Sequence, residues 1–91
     1  MIRIGIVSFD SSHPVEFTKR INHIDISKDY WVDGAQVVMG YPGGPSSFVS
    51  DDVISQRTQT INGYGVRIVD SPEEMIGKVD AIMLEYQEGG L

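Results

Sequence analysis

The first stretch of the chain, Ile2 to Pro14, most constrains what this sequence can fold into. Its opening half is a nearly unbroken β-branched apolar run, typical of a strand covered on both faces of a parallel sheet. Polar residues follow, and Pro14 then suits the first position of a helix, where its missing N–H costs nothing. The pattern predicts a strand, a tight turn and a helix, with His13 as its cap and Glu16 in its first turn.

Composition excludes several classes of protein. The 91 residues are 41% hydrophobic and 22% charged, which is ordinary for one small globular domain. A net charge of −6 without a Lys/Arg cluster argues against nucleic acid or an anionic membrane as a partner. The chain has no cysteine, so disulfides, zinc–thiolate sites and thiol catalysis are excluded. No apolar run approaches the roughly 18 residues of a membrane span and the start lacks a signal-peptide pattern, so we expect a cytoplasmic protein.

The rest of the chain alternates strand and helix signals. The pattern predicts strands over 2–7, 35–40, 66–69 and 79–84. It predicts helices from Pro14 to about Ile24, from Ser50 to Asn62, and a short one that Ser71 starts and that ends near Gly77. Right-handed crossovers then give one half of a doubly wound, three-layer α/β fold, with a parallel four-stranded sheet in the order 3-2-1-4. We expect it to form one domain over 1–91.

This strand order predicts where a ligand would lie. Strands 1 and 4 become neighbours at the point where the direction of winding reverses, and open α/β sheets bind ligands outside the carboxyl ends of such strands. The predicted crevice is therefore lined by residues 8–12 and 85–87.

Four segments carry a resemblance to a known family: Arg3–Val7, Gly34–Val38, Asp70–Met75 and Val79–Ile82. Together they resemble the amino-terminal Rossmann domain of the Gfo/Idh/MocA (glucose–fructose oxidoreductase/inositol dehydrogenase) family. The resemblance implies the NAD- or NADP-binding part of an oxidoreductase acting on a sugar, polyol or similar small molecule. The family's catalytic Lys and His lie in a second domain outside these residues, so we expect a fragment without catalytic residues of its own, inactive alone.

The resemblance implies a set of cofactor-binding residues, which are Ser8, Phe9, Asp10, Ser11, Ser12, His13, Tyr41, Pro42 and Glu85. The family's G-x-G-x-x-G glycines are replaced here by Ser8, Asp10 and His13, and Tyr41-Pro42 stand where an acidic residue normally holds the ribose. Because the glycines permit a tight turn and close approach to the pyrophosphate, these replacements indicate a divergent subgroup.

Simpler interpretations remain open for the same residues. Ser11, Ser12 and His13 either hold an anion or only satisfy the helix start. Asp10 is either a base or metal ligand or a residue that caps its own turn. Glu85 either contacts a ligand or is solvated.

Other residues also leave alternatives. Asp10 and Asp70, each of which follows a predicted strand, permit a phospho-receiver interpretation, although the other residues of a receiver site are missing. The loop 43–47 either wraps an adenosine or needs no ligand. His23 is expected on the solvated face of the first helix, with Tyr30 and Trp31 packed locally before strand 2. The alternative to an oxidoreductase fragment is a non-catalytic module with a vestigial cofactor site, forming a homo-oligomer through an exposed edge on strand 3 or 4.

Overall fold

A computed structural model describes residues 1–9, 11–43 and 50–84. Its strands are β1 (Ile2–Val7), β2 (Ala35–Tyr41), β3 (Arg67–Ile68) and β4 (Ala81–Leu84). Its helices are α1 (His13–Asn22) and α2 (Asp51–Gly63), and two short 3₁₀ turns cover Lys28–Tyr30 and Pro72–Met75. Within these described ranges, no helix is both long and apolar enough to cross a membrane.

The four strands form one all-parallel sheet in the order β3-β2-β1-β4, which confirms the predicted fold class and topology. β1 is central: Ile2 lies opposite Ala35 in β2, and Val7 lies opposite both Tyr41 in β2 and Leu84 in β4. The apolar run that opens the sequence therefore has a strand on each side of it, as the predicted strand order requires.

The core has one cluster on each face of the sheet. On one face α1 and α2 cover the inward side chains of β1 and β2, and the buried cluster there contains Ile4, Ile6, Phe9, Ile21, Val37, Ile54, Ile61 and Val66. On the other face the chain between β3 and β4 supplies Met75, which packs with Val7, Met39 and Val69. The expected three layers are present, with the third layer reduced to a single 3₁₀ turn.

The two ends of α1 and the predicted third helix differ from the structure. α1 ends at Asn22 rather than Ile24, because His23 adopts the left-handed conformation (φ 59°, ψ 51°) that ends a helix. The cap at its start is Ser12 rather than His13. The third helix is only a 3₁₀ turn, because the backbone is extended again at Ile76, directly after the buried Met75.

The start of that 3₁₀ turn agrees with the predicted capping pattern. The carboxylate of Glu74 accepts the backbone N–H of Ser71 at 3.1 Å and that of Asp70 at 2.7 Å. Two donors that precede the turn are thereby satisfied.

Candidate functional site

The backbone just after β1 continues to pair with β2. The N–H of Ser8 donates to the carbonyl of Tyr41 at 2.8 Å, and the N–H of Phe9 donates to the carbonyl of Pro42 at 2.9 Å. These two amides lie at the carboxyl edge of the sheet, where the sequence predicts the crevice. Because they are already bonded within the protein, they do not serve as donors to a ligand.

Ser8 has a backbone conformation that glycine would adopt more readily. Its φ is +79° and the residue is buried. A left-handed conformation costs a non-glycine residue about 1–2 kcal/mol. The turn after β2 lies close by, since a Cβ built on Gly43 would lie 3.9 Å from the Ser8 hydroxyl oxygen. Ser8 therefore forms a tight turn that glycine would adopt without strain.

Phe9 is a core residue rather than a crevice residue. Its side chain is fully buried in the cluster beneath α1 and α2. Its carbonyl accepts a hydrogen bond from Nη1 of Arg57 at 2.9 Å. Arg57 lies on α2, and sequence reasoning missed it because a lone arginine in a helix carries no motif.

The start of α1 offers few free donors. Ser11 Oγ accepts the N–H of His13 at 3.3 Å, and Pro14 has no N–H to offer. Within the described part of the chain, the N–H of Val15 has no partner. Ser12 and His13 are exposed at this helix start, and the His13 ring lies 5.7 Å from that of Phe17. Among the described residues, the positive end of the helix thus offers the Val15 N–H together with the nearby Ser11 and Ser12 hydroxyls.

The remaining predicted site residues are distributed as follows. Tyr41 and Pro42 are half-buried at the tip of β2, where their carbonyls hold the β1 turn and the Tyr41 side chain packs beside the cluster around Met75. Asp10, Glu85 and most of the loop 43–47 lie outside the described residues. The structure thus brings the tips of β1, β2 and β4 and the start of α1 to one edge of the sheet.

Two alternative chemistries gain no support. Among residues 1–9, 11–43 and 50–84, no three His, Asp or Glu side chains are grouped to hold a metal ion. Asp70 follows β3, which β2 separates from β1, and its backbone N–H is held by Glu74. A phospho-receiver site requires acidic groups close together, and Asp70 is not next to the β1 turn.

His23 is exposed, as predicted, and its ring also has an aromatic partner. It stacks on Trp31 at the amino edge of the sheet, with ring centroids 4.1 Å apart and planes 3° from parallel. The prediction that Trp31 packs locally is confirmed by this stack and by a hydrogen bond from its Nε1 to the Ile26 carbonyl at 3.3 Å. Tyr30 is mostly exposed.

Comparison with protein-family models, with curated proteins and with solved structures finds no match for this chain.

Proposed function

We propose that this chain is the nucleotide-binding portion of an NAD(P)-dependent oxidoreductase that acts on a sugar, polyol or related small molecule. The observation that supports this proposal is the topological switch point at β1 and β4. The chain leaves β1 to one side of the sheet and reaches β4 on the other, and the turn into α1 lies between them. This is the position at which doubly wound sheets bind dinucleotides.

The turn after β1 supports this proposal through its backbone path, although it offers fewer donors than the usual glycine-rich fingerprint supplies. The strained turn at Ser8 keeps the chain close to β2, through the hydrogen bonds to the Tyr41 and Pro42 carbonyls. At the start of α1 the Val15 N–H and the hydroxyls of Ser11 and Ser12 would hold the pyrophosphate. When bound, the nicotinamide ring supplies a hydride acceptor or donor.

The role we assign to the chain's own residues is binding and orientation. Arg57 and the carbonyls of Tyr41 and Pro42 hold the backbone of the β1 turn from two sides. We expect these residues to bind and orient the dinucleotide. The place we propose for the protein is the cytoplasm.

Amide chemical shifts measured by NMR during titration with NADH and NADPH test this proposal. Trp31 is unsuitable as a reporter, because it lies at the opposite edge of the sheet from the crevice. We expect saturable shifts at Ser11, Ser12 and Val15 at millimolar cofactor.

Ser12→Asp provides the decisive variant. It adds a negative charge at the start of α1, so it should abolish the shifts by repelling the diphosphate. Ser27→Asp adds the same charge at an exposed cap on the amino edge and should leave them intact. An absence of saturable shifts in the unsubstituted protein would overturn the proposal.

A non-catalytic module that forms a homo-oligomer is the second candidate function. The small number of available backbone donors favours it, since the N–H groups of Ser8 and Phe9 already donate within the protein and Pro14 has no N–H. It is also favoured by β4, an edge strand with Ile82 and Leu84 exposed. Analytical ultracentrifugation distinguishes the two, because a dimer that is unaffected by cofactor supports the module.

A further inference from the structure

Arg57 brings a guanidinium from α2 to the tip of β1. The residue lies three positions after Ile54 and four before Ile61, and both isoleucines are buried in the cluster beneath the helix. The Arg57 side chain therefore leaves α2 on the side that faces the sheet. Its Nη1 donates to the Phe9 carbonyl at 2.9 Å, and this contact fixes a half-buried positive charge beside the turn that follows β1.

The guanidinium has no carboxylate partner within the described part of the chain. None of the ion pairs formed among residues 1–9, 11–43 and 50–84 includes Arg57. On α2 itself, the positions three and four residues away carry no acid: they are Val53, Ile54, Thr60 and Ile61. A half-buried cation is ordinarily paired, and this chain has 13 Asp and Glu residues against 7 Lys and Arg. The missing partner therefore points to an anion that comes from outside the chain.

A second polar group without a partner directly precedes Phe9. Ser8 is only 3% exposed, and its hydroxyl forms no hydrogen bond to any described residue. A Cβ built on Gly43 would lie 3.9 Å from the hydroxyl oxygen, so the hydroxyl is directed at the turn after β2. Burying a hydroxyl without a hydrogen bond costs free energy, which a ligand at this turn would recover.

The described tip of β2, residues 41–43, carries no negative charge. Where dinucleotide-binding sheets place an acid that accepts the ribose 2′-hydroxyl, this chain has Tyr41 and Pro42. Their carbonyls already accept the N–H groups of Ser8 and Phe9. A ribose at this tip would therefore meet donors rather than acceptors, which favours a ribose that carries a phosphate.

We propose that Arg57 and Ser8 bind the 2′-phosphate of an adenine dinucleotide, so that the protein prefers NADP(H) to NAD(H). The inference rests on the proposed function, and it adds a phosphate subsite apart from the pyrophosphate position at the start of α1. A guanidinium has five N–H donors, and those that the Phe9 carbonyl does not use can donate to phosphate oxygens. Because that carbonyl already holds the guanidinium in place, little side-chain entropy is lost on binding.

Isothermal titration calorimetry with two adenosine probes tests the subsite. Adenosine 2′,5′-bisphosphate carries the 2′-phosphate, and adenosine 5′-monophosphate lacks it. We expect the bisphosphate to bind about tenfold more tightly, which is the contribution of one charge-assisted hydrogen bond. Arg57→Gln should reduce the ratio of the two affinities to near one. Arg67→Gln removes an exposed positive charge from β3 and should leave the ratio unchanged.

Ser8→Gly keeps the test independent of any folding defect in Arg57→Gln. Glycine adopts the positive φ of residue 8 without strain, so this variant should fold. The loss of the hydroxyl should lower the ratio of affinities by about fivefold. The ratio is the readout because a general distortion of the turn would weaken the binding of both probes alike.

The outcomes separate this inference from the proposed function. Equal affinities for the two probes in the unsubstituted protein would overturn the 2′-phosphate subsite and leave dinucleotide binding in place. A preference that survives either Arg57→Gln or Ser8→Gly would also contradict it. If neither NADH nor NADPH shifts the amides of Ser11, Ser12 and Val15, the proposed function fails and the subsite fails with it.

Discussion

At the scale of single residues, two glycines in the sheet leave space for a side chain from elsewhere. A Cβ on Gly40 would lie 2.7 Å from Cζ of Phe9, and one on Gly5 would lie 2.6 Å from Sδ of Met75. Phe9 and Met75 are both fully buried, on opposite faces of the sheet. The two glycines therefore allow the two core clusters to close onto β1 and β2.

Replacing these glycines should destabilise the protein to different degrees. Gly40→Ala should lower the free energy of unfolding by about 1–3 kcal/mol, because the Phe9 ring is rigid and packed on all sides. Gly5→Ala should cost less, because the flexible Met75 side chain moves more easily. Urea unfolding measures both.

Gly63→Ala is the matched control. Nothing lies within 4 Å of a Cβ at Gly63, which ends α2, so alanine there should stabilise by about 0.4–1 kcal/mol. The packing explanation fails if Gly40→Ala is as stable as Gly63→Ala.

At the scale of secondary-structure elements, one side chain completes the edge of β2. β3 contributes only two residues, which pair with Met39 and Gly40. Earlier along β2, Asn22 at the end of α1 takes the place of a strand: its Oδ1 accepts the N–H of Val37 at 2.8 Å and its Nδ2 donates to the carbonyl of Val37 at 3.0 Å. The side-chain amide thus satisfies both backbone groups of a buried residue.

Asn22→Asp should lower the free energy of unfolding by about 1–3 kcal/mol. The variant keeps the shape of the side chain but turns an oxygen toward the Val37 carbonyl in place of a donor. Urea unfolding and the hydrogen-exchange rate of the Val37 amide measure the effect.

The control is Gln36→Glu, which makes the same amide-to-acid change at an exposed position of β2. Similar losses in the two variants would show that charge alone, rather than the pairing with Val37, is responsible.

At the scale of the whole molecule, residues 77 positions apart join the start of β1 to the approach to β4. The N–H of Arg3 donates to Oδ2 of Asp80 at 2.8 Å, and the N–H of Asp80 donates to the carbonyl of Arg3 at 2.7 Å. The guanidinium adds a longer contact at 3.3 Å. The backbone hydrogen bond from Arg3, followed by the side-chain hydrogen bond, lowers the pKa of Asp80 below its ordinary value of 3.8.

This lowered pKa predicts part of the acid sensitivity of the fold. The stabilisation from Asp80 is fully present above the unfolded-state pKa and is lost as the pH falls through the lower folded-state pKa. Asp80→Asn should therefore be less stable than the unsubstituted protein at pH 7, and the difference should shrink below about pH 4.

Urea midpoints at pH 7, 4 and 3 provide the check, with Asp70→Asn as a control at another exposed carboxylate. A difference between Asp80→Asn and the unsubstituted protein that stays constant down to pH 3 would contradict this explanation.

The sequence by itself determined the parallel α/β fold, the strand order and the edge at which Ser8, Ser11 and Ser12 lie. These depend on local periodicity, on capping patterns and on the handedness of crossovers, all of which can be read along the chain. The assignment of those residues to a cofactor stays a prediction.

Only the tertiary structure decided which side chains and backbone groups have partners within the protein. It placed the Phe9 ring in the core, Arg57 against the Phe9 carbonyl, Asn22 against β2 and His23 against Trp31. Each of these contacts joins parts of the chain that no local pattern connects. Their partners are selected by packing density and by the need to satisfy buried polar groups, which exist only once the layers have come together.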